Sequence, residues 1–126
     1  MPQLNAIGIV ASDMLKSIRF YRLLGFDVPE TPDEGHVDTF LPNGVRFMLD
    51  TEEVVRSFLP DWVRETGNQI SFALECANPA EVDEAYARVT SEGFEGESEP
   101  WDAYWGQRYA LLIDPDGVRV NLYSAL

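Results

Sequence analysis

The sequence is poor in cysteine, histidine and basic residues. Its 126 residues include one cysteine, one histidine, and nine lysines and arginines against 22 acidic residues. A single cysteine excludes an intrachain disulfide and is typical of a reducing compartment, so we expect a cytoplasmic protein. The formal net charge of -13 would repel phosphate groups. We therefore expect no nucleic-acid partner.

Long apolar stretches are missing as well. No stretch approaches the roughly 20 apolar residues of a membrane-spanning helix, and the opening MPQLNAIGIV has no basic segment before an apolar one. We expect no membrane partner. The hydrophobic content of 45%, with 12% aromatic residues, instead predicts a folded domain. The length corresponds to one domain of ordinary size.

Two parts of the chain repeat one pattern. Each contains a predicted helix that ends at a glycine, with apolar residues 11, 7 and 4 positions before that glycine. These residues are Met14, Ile18 and Tyr21 before Gly25, and Val82, Tyr86 and Val89 before Gly93. Ser12 or Asp13 is expected to cap the first helix and Asn78 the second. Each part also ends in a turn and an alternating strand, NGVRFMLD and DGVRVNLY.

The repeat predicts an α+β fold made of two βαβββ modules, with the helices on one face of curved sheets. We expect a single domain in which residues 1–50 form the first module, 51–68 a connector, and 69–126 the second. After the first helix we expect a strand at FDVP, then strands near HVDTFL and VRFMLD. The second module is five residues longer than the first, and we place the additional residues around EPWDAYWG.

Alternation along the strands predicts which side chains face the helices. Phe47 and Leu49 are expected there, as are Ile70, Phe72 and Leu74 in the strand that opens the second module. The opposite face has small residues on its opening strands, which indicates an unfilled cleft able to bind a ligand. These small residues are Ala6, Gly8, Ser71 and Ala73. The alternative is that another subunit or a loop fills the cleft.

Two motifs, VASDMLKSIRFYRLLGF (10–26) and DPDGVRVNLY (114–123), together with the paired modules, make the chain resemble the vicinal oxygen chelate superfamily. This superfamily includes glyoxalase I, extradiol dioxygenases and bleomycin-resistance proteins. The resemblance implies modules that enclose a cleft, a homodimer and, in the enzymes, a divalent metal. By motif, the metal-ligand positions are Ala6, Met48, Gln69 and Asn121. Because none is a carboxylate or an imidazole, we expect no metal and no other cofactor.

Two further stretches, TEEVVRSFLPDW (51–62) and PWDAYWGQRYALLIDPDG (100–117), resemble the mitomycin-binding, drug-resistance branch of the superfamily. That resemblance implies a planar ligand stacked between Trp105 and His36, in a cleft completed by two subunits. The full predicted ligand-binding set is Trp105, His36, Asp38, Phe40, Met48, Arg46, Tyr104, Phe58, Trp62 and Asn121.

Four of these residues also have a simpler interpretation. Trp105 could cover an edge of the core rather than stack on a ligand. His36 could be an ordinary surface histidine instead of a ligand-facing imidazole held by Asp38. Phe58 and Trp62, on either side of Pro60, could pack in the core or form a roof over the cleft.

The pattern favours a metal-independent protein that sequesters a planar, antibiotic-like molecule and so confers resistance. Two alternatives remain open at this point. One is a metal-dependent lyase, isomerase or dioxygenase of the same superfamily, and the other is an accessory protein that holds a biosynthetic intermediate. We predict no catalytic residues, because no serine, cysteine or lysine has a recognisable adjacent base. Cys76, in phase with Phe72 and Leu74, is expected in the core.

Overall fold

The computed structural model describes residues 1–67 and 69–126, and within them the α+β fold predicted from the sequence is confirmed. The chain divides into two compact units, Met1–Glu65 and Thr66–Leu126. The described residues hold seven strands and three helices. None of these helices has the length and the apolar character needed to span a bilayer.

The first unit contains a three-stranded mixed sheet and two helices. In chain order the elements are β1 (Ala6–Ala11), α1 (Met14–Leu23), β2 (His36–Phe40), β3 (Arg46–Thr51) and α2 (Glu52–Phe58). Strand β3 lies in the centre of the sheet, parallel to β1 and antiparallel to β2. Asp13 caps α1 by accepting a hydrogen bond from the Lys16 amide at 3.1 Å. Gly25, with a φ of 88°, follows the end of α1, as its position predicted.

The strand predicted at FDVP is not formed, so the first unit has three strands instead of four. Local hydrogen bonds hold this segment instead of a strand ladder. The Val28 amide donates to the Phe26 carbonyl at 2.8 Å, and the Arg22 guanidinium donates to the Val28 carbonyl at 2.6 Å. Pro29 follows without an amide hydrogen to give to a neighbouring strand. Val28 is fully buried, so its apolar side chain packs in the core without strand pairing.

The second unit forms the predicted βαβββ module. Its elements are β4 (Ser71–Glu75), α3 (Pro79–Ser91), β5 (Glu95–Ala103), β6 (Gln107–Ile113) and β7 (Arg119–Ala125). The sheet order is β4-β7-β6-β5, in which only the pair β4 and β7 is parallel. Asn78 caps α3 by accepting from the Glu81 amide at 2.9 Å, and Gly93, with a φ of 89°, follows the end of the helix. Helices α1 and α3 thus both begin with a side-chain cap and are both followed by a glycine with a positive φ.

The additional residues of the second module lie in the hairpin that joins β5 and β6. Strand β5 is nine residues long, and its register against β6 shifts twice between Gly96 and Trp101. Residues 104–106 form the turn, in which the Gly106 amide donates to the Ala103 carbonyl at 3.0 Å. The insertion therefore extends a strand and places Tyr104 and Trp105 at its end.

Each sheet packs helices against one face, where the predicted alternation holds. Helix α1 packs against β3, and α3 packs against β5, β6 and β7. The core of the first unit is rich in aromatic residues, with the Tyr21 ring 4.5 Å from Phe47 and 5.5 Å from Phe26. The core of the second unit is aliphatic. Its fully or almost fully buried side chains include Val82, Val89, Leu112, Val120 and Leu122.

The residues that open the second module depart from the prediction. Ile70, expected to face the helices, is 73% exposed because the pairing of β4 with β7 begins only at Ser71. Phe72 and Leu74 are half-buried. Cys76 is buried as expected, and burial raises the pKa of its thiol, which agrees with a core residue and not a nucleophile.

Two glycines allow a helix side chain to come very close to the backbone. The Tyr86 ring of α3 lies so close to Gly96 in β5 that a Cβ atom there would overlap the ring and its hydroxyl group. In the first unit the Val54 side chain of α2 lies in the same way against Gly35. At both positions even the smallest side chain would displace the residue above it.

Candidate functional site

The face of the first sheet that is not packed by α1 carries a cluster of polar side chains. Strand pairing sets His36 of β2 opposite Asp50 of β3, Asp38 opposite Met48, and Phe40 opposite Arg46. Val37, which alternates with these residues, is buried opposite Leu49 on the helix-packed face. The register therefore brings His36, Asp38 and Arg46, predicted as site residues, onto one open face together with Asp50.

His36 is held by two carboxylates at once. Its Nδ1 lies 2.6 Å from Asp50 Oδ1, and its Nε2 lies 3.0 Å from Asp38 Oδ2. These hydrogen bonds, the one to Asp38 first and the one to Asp50 second, raise the pKa of His36 above its ordinary value of 6.5. Arg46 also donates to Asp38 Oδ2, at 3.4 Å. The predicted support of His36 by Asp38 is confirmed, and Asp50 adds a second support.

Both ring nitrogens of His36 have a hydrogen-bond partner, yet the side chain is not buried. The side chain is 43% exposed, and Phe40, four residues later on the same strand, is 68% exposed. Met48 lies across Gly8 of β1, with its methyl carbon 3.2 Å from where a glycine Cβ would stand. The small residue at position 8 thus gives room to Met48.

Phe58 and Trp62 belong to a different part of the first unit. Phe58 ends α2 and is exposed. The guanidinium groups of Arg56 and Arg64 lie 5.2 Å and 5.5 Å from the centre of the Trp62 ring. Arg64 also pairs with Glu52 at 2.7 Å. Trp62 therefore takes part in a cation–π cluster beside α2, separate from the hydrogen bonds of His36.

The open face of the second sheet carries an aromatic cluster centred on Trp105. The centre of its ring lies 6.2 Å from Trp101, 5.3 Å from Tyr109 and 5.0 Å from Tyr104, in edge-to-face arrangements. Tyr123 stacks on Tyr109 at 6.3 Å. We call these five residues the aromatic cluster. Strand register produces it, since Trp101, Tyr109 and Tyr123 are direct neighbours on β5, β6 and β7.

Trp105 is held in a defined orientation although it lies in a turn. Its indole Nε1 donates to Gln107 Oε1 at 2.8 Å, and the residue is 48% exposed. Its edge is therefore fixed by the hydrogen bond and the ring contacts, while about half of its surface remains accessible. Tyr104 beside it is almost fully exposed.

Asn121, in the middle of β7, is hydrogen-bonded to the aromatic cluster. Its Nδ2 donates to the Tyr109 hydroxyl at 2.9 Å, and its Oδ1 is buried without a hydrogen-bond partner among the described residues. Small, exposed Ala73 is its neighbour on β4. Native proteins leave few buried polar atoms unsatisfied, so this oxygen marks a strained polar point on an otherwise aromatic face.

The structure thus groups six of the predicted residues, three within each unit. His36, Asp38 and Arg46 meet on the first sheet, and Trp105, Tyr104 and Asn121 meet on the second through Tyr109. The prediction missed Asp50 as a partner of His36, and it missed Tyr109 as a partner of both Trp105 and Tyr123. Their alternating phase in the strands was the available signal, but pairing between strands was needed to select them.

The side chains at the family's metal-ligand positions do not fit a divalent metal. Ala6 offers no donor, Met48 offers a thioether, and Asn121 uses its amide nitrogen on Tyr109. Gln69, predicted to be an inward strand residue, lies outside β4 and is exposed. Hard and borderline dications need carboxylate or imidazole donors, which these positions lack.

The three acidic and imidazole side chains on the first sheet do not form a metal site either. The two nitrogens of His36 point to different carboxylates, so one ion could not contact a ring nitrogen and both acids. Within residues 1–67 and 69–126, no group of three or more histidine, cysteine or acidic side chains is arranged to hold an ion.

Comparison with known proteins agrees with this architecture. Residues 3–122 match the model of the Glyoxalase/Bleomycin resistance protein/Dioxygenase superfamily. A glyoxalase/bleomycin resistance protein/dioxygenase from Nocardioides is 27% identical, with a TM-score of 0.76, over 100% of this chain and 85% of that one. Among curated proteins, none is significantly similar in sequence.

Two further solved structures share the fold at lower identity. A family enzyme from Burkholderia phytofirmans has a TM-score of 0.84 at 16% identity, over 99% of this chain and all of that one. A glyoxalase-related enzyme from Fulvimarina pelagi has a TM-score of 0.83 at 17% identity, over 98% and 88% of the two chains. At these identities the likeness concerns the fold alone.

Proposed function

The chain belongs to the glyoxalase/bleomycin resistance protein/dioxygenase superfamily, and from that premise we propose that it is a metal-independent member that binds a planar aromatic molecule. The protein would sequester an antibiotic-like compound without changing it, and so give resistance. It would act as a homodimer, in the cytoplasm, without a cofactor. Two equivalent sites per dimer follow from the symmetry of such an assembly.

The aromatic cluster is the observation that carries this proposal. The first unit buries the rings of Phe20, Tyr21 and Phe47 in its core. The five rings of the aromatic cluster instead stand on the open face of a sheet, and Trp105 keeps about half of its surface accessible. Exposed apolar patches on folded proteins mark sites of interaction. A flat ring with a fixed edge is suited to stack on another flat ring.

The polar groups beside the cluster would orient the ligand. Because the Tyr109 hydroxyl accepts from Asn121, its own hydrogen is available to a ligand oxygen. Within the first unit, the partly exposed His36 and the exposed Phe40 ring lie on one strand and would add ligand contacts of their own. Phe58 and Trp62 contribute less in this view, because the two arginines beside Trp62 occupy part of its surface.

A metal-dependent enzyme is the second candidate, because two structures of the same fold are described as enzymes. The side chains at the metal-ligand positions do not support this candidate. Neutral amide, thioether and alanine side chains replace the acids and histidines that such a metal needs. Metal analysis of protein purified without chelators tests this alternative. Near-stoichiometric divalent metal would favour the enzyme.

Fluorescence titration tests the binding proposal. Mitomycin-like aminoquinones are the first probes, because residues 100–117 resemble the mitomycin-binding branch, and bleomycin-like glycopeptides form the comparison. We expect quenching of tryptophan emission, and binding about tenfold weaker in Trp105→Ala, which corresponds to about 1.4 kcal/mol. Trp62→Phe is the matched control, in which one indole is lost and affinity is kept. Unchanged affinity in folded Trp105→Ala would contradict the proposal.

A growth assay separates resistance from an accessory role in biosynthesis. Expression in a sensitive bacterium should raise tolerance of the bound compound if the protein sequesters it. The Trp105→Ala variant should not raise it. Binding in vitro without any change in tolerance would favour the accessory role. Sedimentation analysis of the same protein measures whether the expected homodimer forms.

A further inference from the structure

The two units carry an arginine at the same structural position. Arg46 and Arg119 each follow a Gly-Val pair, in which the glycine has a φ of 88° in the first unit and 85° in the second. Each arginine is the first residue of a strand that has a parallel neighbour on one side and an antiparallel neighbour on the other. The residue opposite on the parallel strand is small in both units, Ala6 or Ser71. The surroundings of the two arginines can therefore be compared directly.

In the second unit a carboxylate fills one side of the guanidinium group. Arg119 donates from Nε to Glu97 Oε2 at 2.7 Å and from Nη2 to Glu97 Oε1 at 2.8 Å. Two parallel hydrogen bonds of this kind are a strong and geometrically specific way for an arginine to bind an acid. Glu97 comes from β5, the edge strand, in the stretch where its register against β6 shifts.

In the first unit the same two nitrogens have no partner among residues 1–67 and 69–126. Arg46 Nε is buried without a hydrogen bond, and the guanidinium group makes only one bond in this part of the chain, from Nη1 to Asp38 Oδ2 at 3.4 Å. That oxygen also lies 3.0 Å from His36 Nε2. The side chains of Arg46 and Arg119 are 37% and 34% exposed, so the two arginines differ in their partners and not in their burial.

The strand that the first unit does not form explains why Arg46 lacks an acid. Glu97 lies four residues after the glycine that follows α3, and the residue at the same distance from the glycine that follows α1 is Pro29. The acids nearest to Pro29, Asp27 and Glu30, pair with arginines of α1. A buried donor without an acceptor is costly, so Arg46 keeps an unmet demand for an oxygen ligand.

We propose that Arg46 binds the carboxylate group of a small aromatic acid, in the way that Arg119 binds Glu97. A carboxylate that bridged Nε and Nη2 would give the buried Nε its missing acceptor. Phe40 lies opposite Arg46 on β2, and its exposed ring offers an apolar contact to the rest of such a ligand. The inference concerns the first unit alone and does not depend on the aromatic cluster of the second.

NMR can observe the two arginines separately. Each arginine gives one Nε–Hε signal, and the signal that is absent from the spectra of both Arg46→Lys and Arg46→Gln belongs to Arg46. We would titrate benzoate and benzamide, which have similar shapes but differ in charge, at a salt concentration of about 0.15 M. Salt at this level screens the repulsion that the net charge of -13 exerts on any anion.

Benzoate should shift the Arg46 signal at a concentration about three- to tenfold lower than benzamide requires. This is the size expected for a partly exposed charged pair that forms two hydrogen bonds. Equal concentrations for the two probes, or no shift of the Arg46 signal with either, would overturn the proposal.

Arg119 provides the matched control. Its Nε–Hε signal should not respond to benzoate, because Glu97 already accepts from both nitrogens. Glu97→Ala removes that acid, and the Arg119 signal should then shift with benzoate as the Arg46 signal does. If both signals moved equally in the wild-type protein, benzoate would be associating with arginines in general, and Arg46 would not be a specific site.

Phe40→Ala tests the aromatic part of the ligand class. This variant should weaken binding of benzoate about two- to tenfold, the size of one contact between aromatic rings, and should leave binding of acetate unchanged. Equal losses for the two acids, or no loss for benzoate, would remove the aromatic ring from the proposal.

The alternative occupant is an acid of a second copy of this chain. In that case Arg46→Gln should shift the protein toward the monomer in sedimentation, and no added acid should move the Arg46 signal. That result would overturn the ligand site. The Trp105 titration monitors the second unit and the Arg46 signal monitors the first, so either proposal can fail while the other stands.

Discussion

The two units place their main groups of contacting aromatic rings on opposite faces of their sheets. In the first unit Phe20, Tyr21, Phe26 and Phe47 pack together, with ring centres 4.5–5.5 Å apart. In the second unit the core is aliphatic and the aromatic cluster lies on the open face. The main group of rings therefore packs in the core of the first unit and lies on the open face of the second.

The open faces of the two sheets also carry different kinds of side chains. The first sheet carries paired charges around His36, and the second carries aromatic rings around Trp105. Since a helix packs on the other face of both sheets, the open faces are freer to differ than the packed ones. The two units share the construction of their helix ends, and their differences are concentrated on the open faces, where they do not disturb the packing of the helices.

Removal of one ring from each unit should give the largest contrast. Phe47→Ala should lower the free energy of unfolding by about 3–5 kcal/mol, because it empties a buried site among other rings. Trp105→Ala should cost about 1 kcal/mol, because half of that side chain is already exposed. Urea denaturation followed by circular dichroism measures both. Similar losses for the two variants would show that the aromatic cluster is also structural.

The glycines that follow α1 and α3 should respond alike. Gly25 and Gly93 have φ angles of 88° and 89°, and a Cβ atom at either would meet nothing within 4 Å. Gly25→Ala and Gly93→Ala should each cost about 1–2 kcal/mol, through backbone strain alone.

Asparagine variants are the control for these glycines, because asparagine tolerates this conformation better than alanine does. Gly25→Asn and Gly93→Asn should therefore lose less stability than the alanine variants in the same denaturation experiment. Unequal costs at the two glycines would show that the helix ends are not equivalent.

The smallest expected contrast is in the response of stability to pH. His36 has a raised pKa, so its contribution is complete below pH 6.5 and is lost as the pH rises through the elevated pKa. The hydrogen bonds of Arg119 lower the pKa of Glu97. Its contribution is therefore present above pH 4.5 and is lost as the pH falls through the lowered pKa.

Two variants separate these opposite responses. Removal of the titrating group in His36→Phe should flatten the alkaline decline in the denaturation midpoint, and Glu97→Gln should flatten the acidic decline. Both shifts should be small, because the side chains are partly or largely exposed. If His36→Phe instead flattened the acidic decline, or Glu97→Gln the alkaline decline, these assignments would be wrong.

The sequence predicted the parts of the fold that depend on local pattern. Helix caps at Asp13 and Asn78, helix ends at Gly25 and Gly93, and the burial of Phe47 and Leu49 all follow from short-range spacing. These features need only the conformational preferences of a few adjacent residues. For the same reason the Asp38 contact of His36, two positions away on one strand, was within reach of prediction.

The features that depend on distant pairing were not predicted. FDVP has the composition of a strand, but its backbone hydrogen bonds form within the segment and with the Arg22 side chain. Ile70 continues the alternation of β4, yet the pairing of β4 with β7 begins only at Ser71. The contact of Asp50 with His36 depends on the register of β2 against β3. Alternation assigns a face to each residue but does not identify its neighbour on the next strand.

The close approach of Tyr86 to Gly96 has an evolutionary consequence. Since no side chain fits at position 96 beneath that ring, the two positions are free to change only together. Related chains with alanine or a larger residue at 96 should carry a small residue at 86, and positions 35 and 54 of the first unit should covary in the same way. A mutational library that varies one member of a pair would find only losses, whereas one that varies both could recover function.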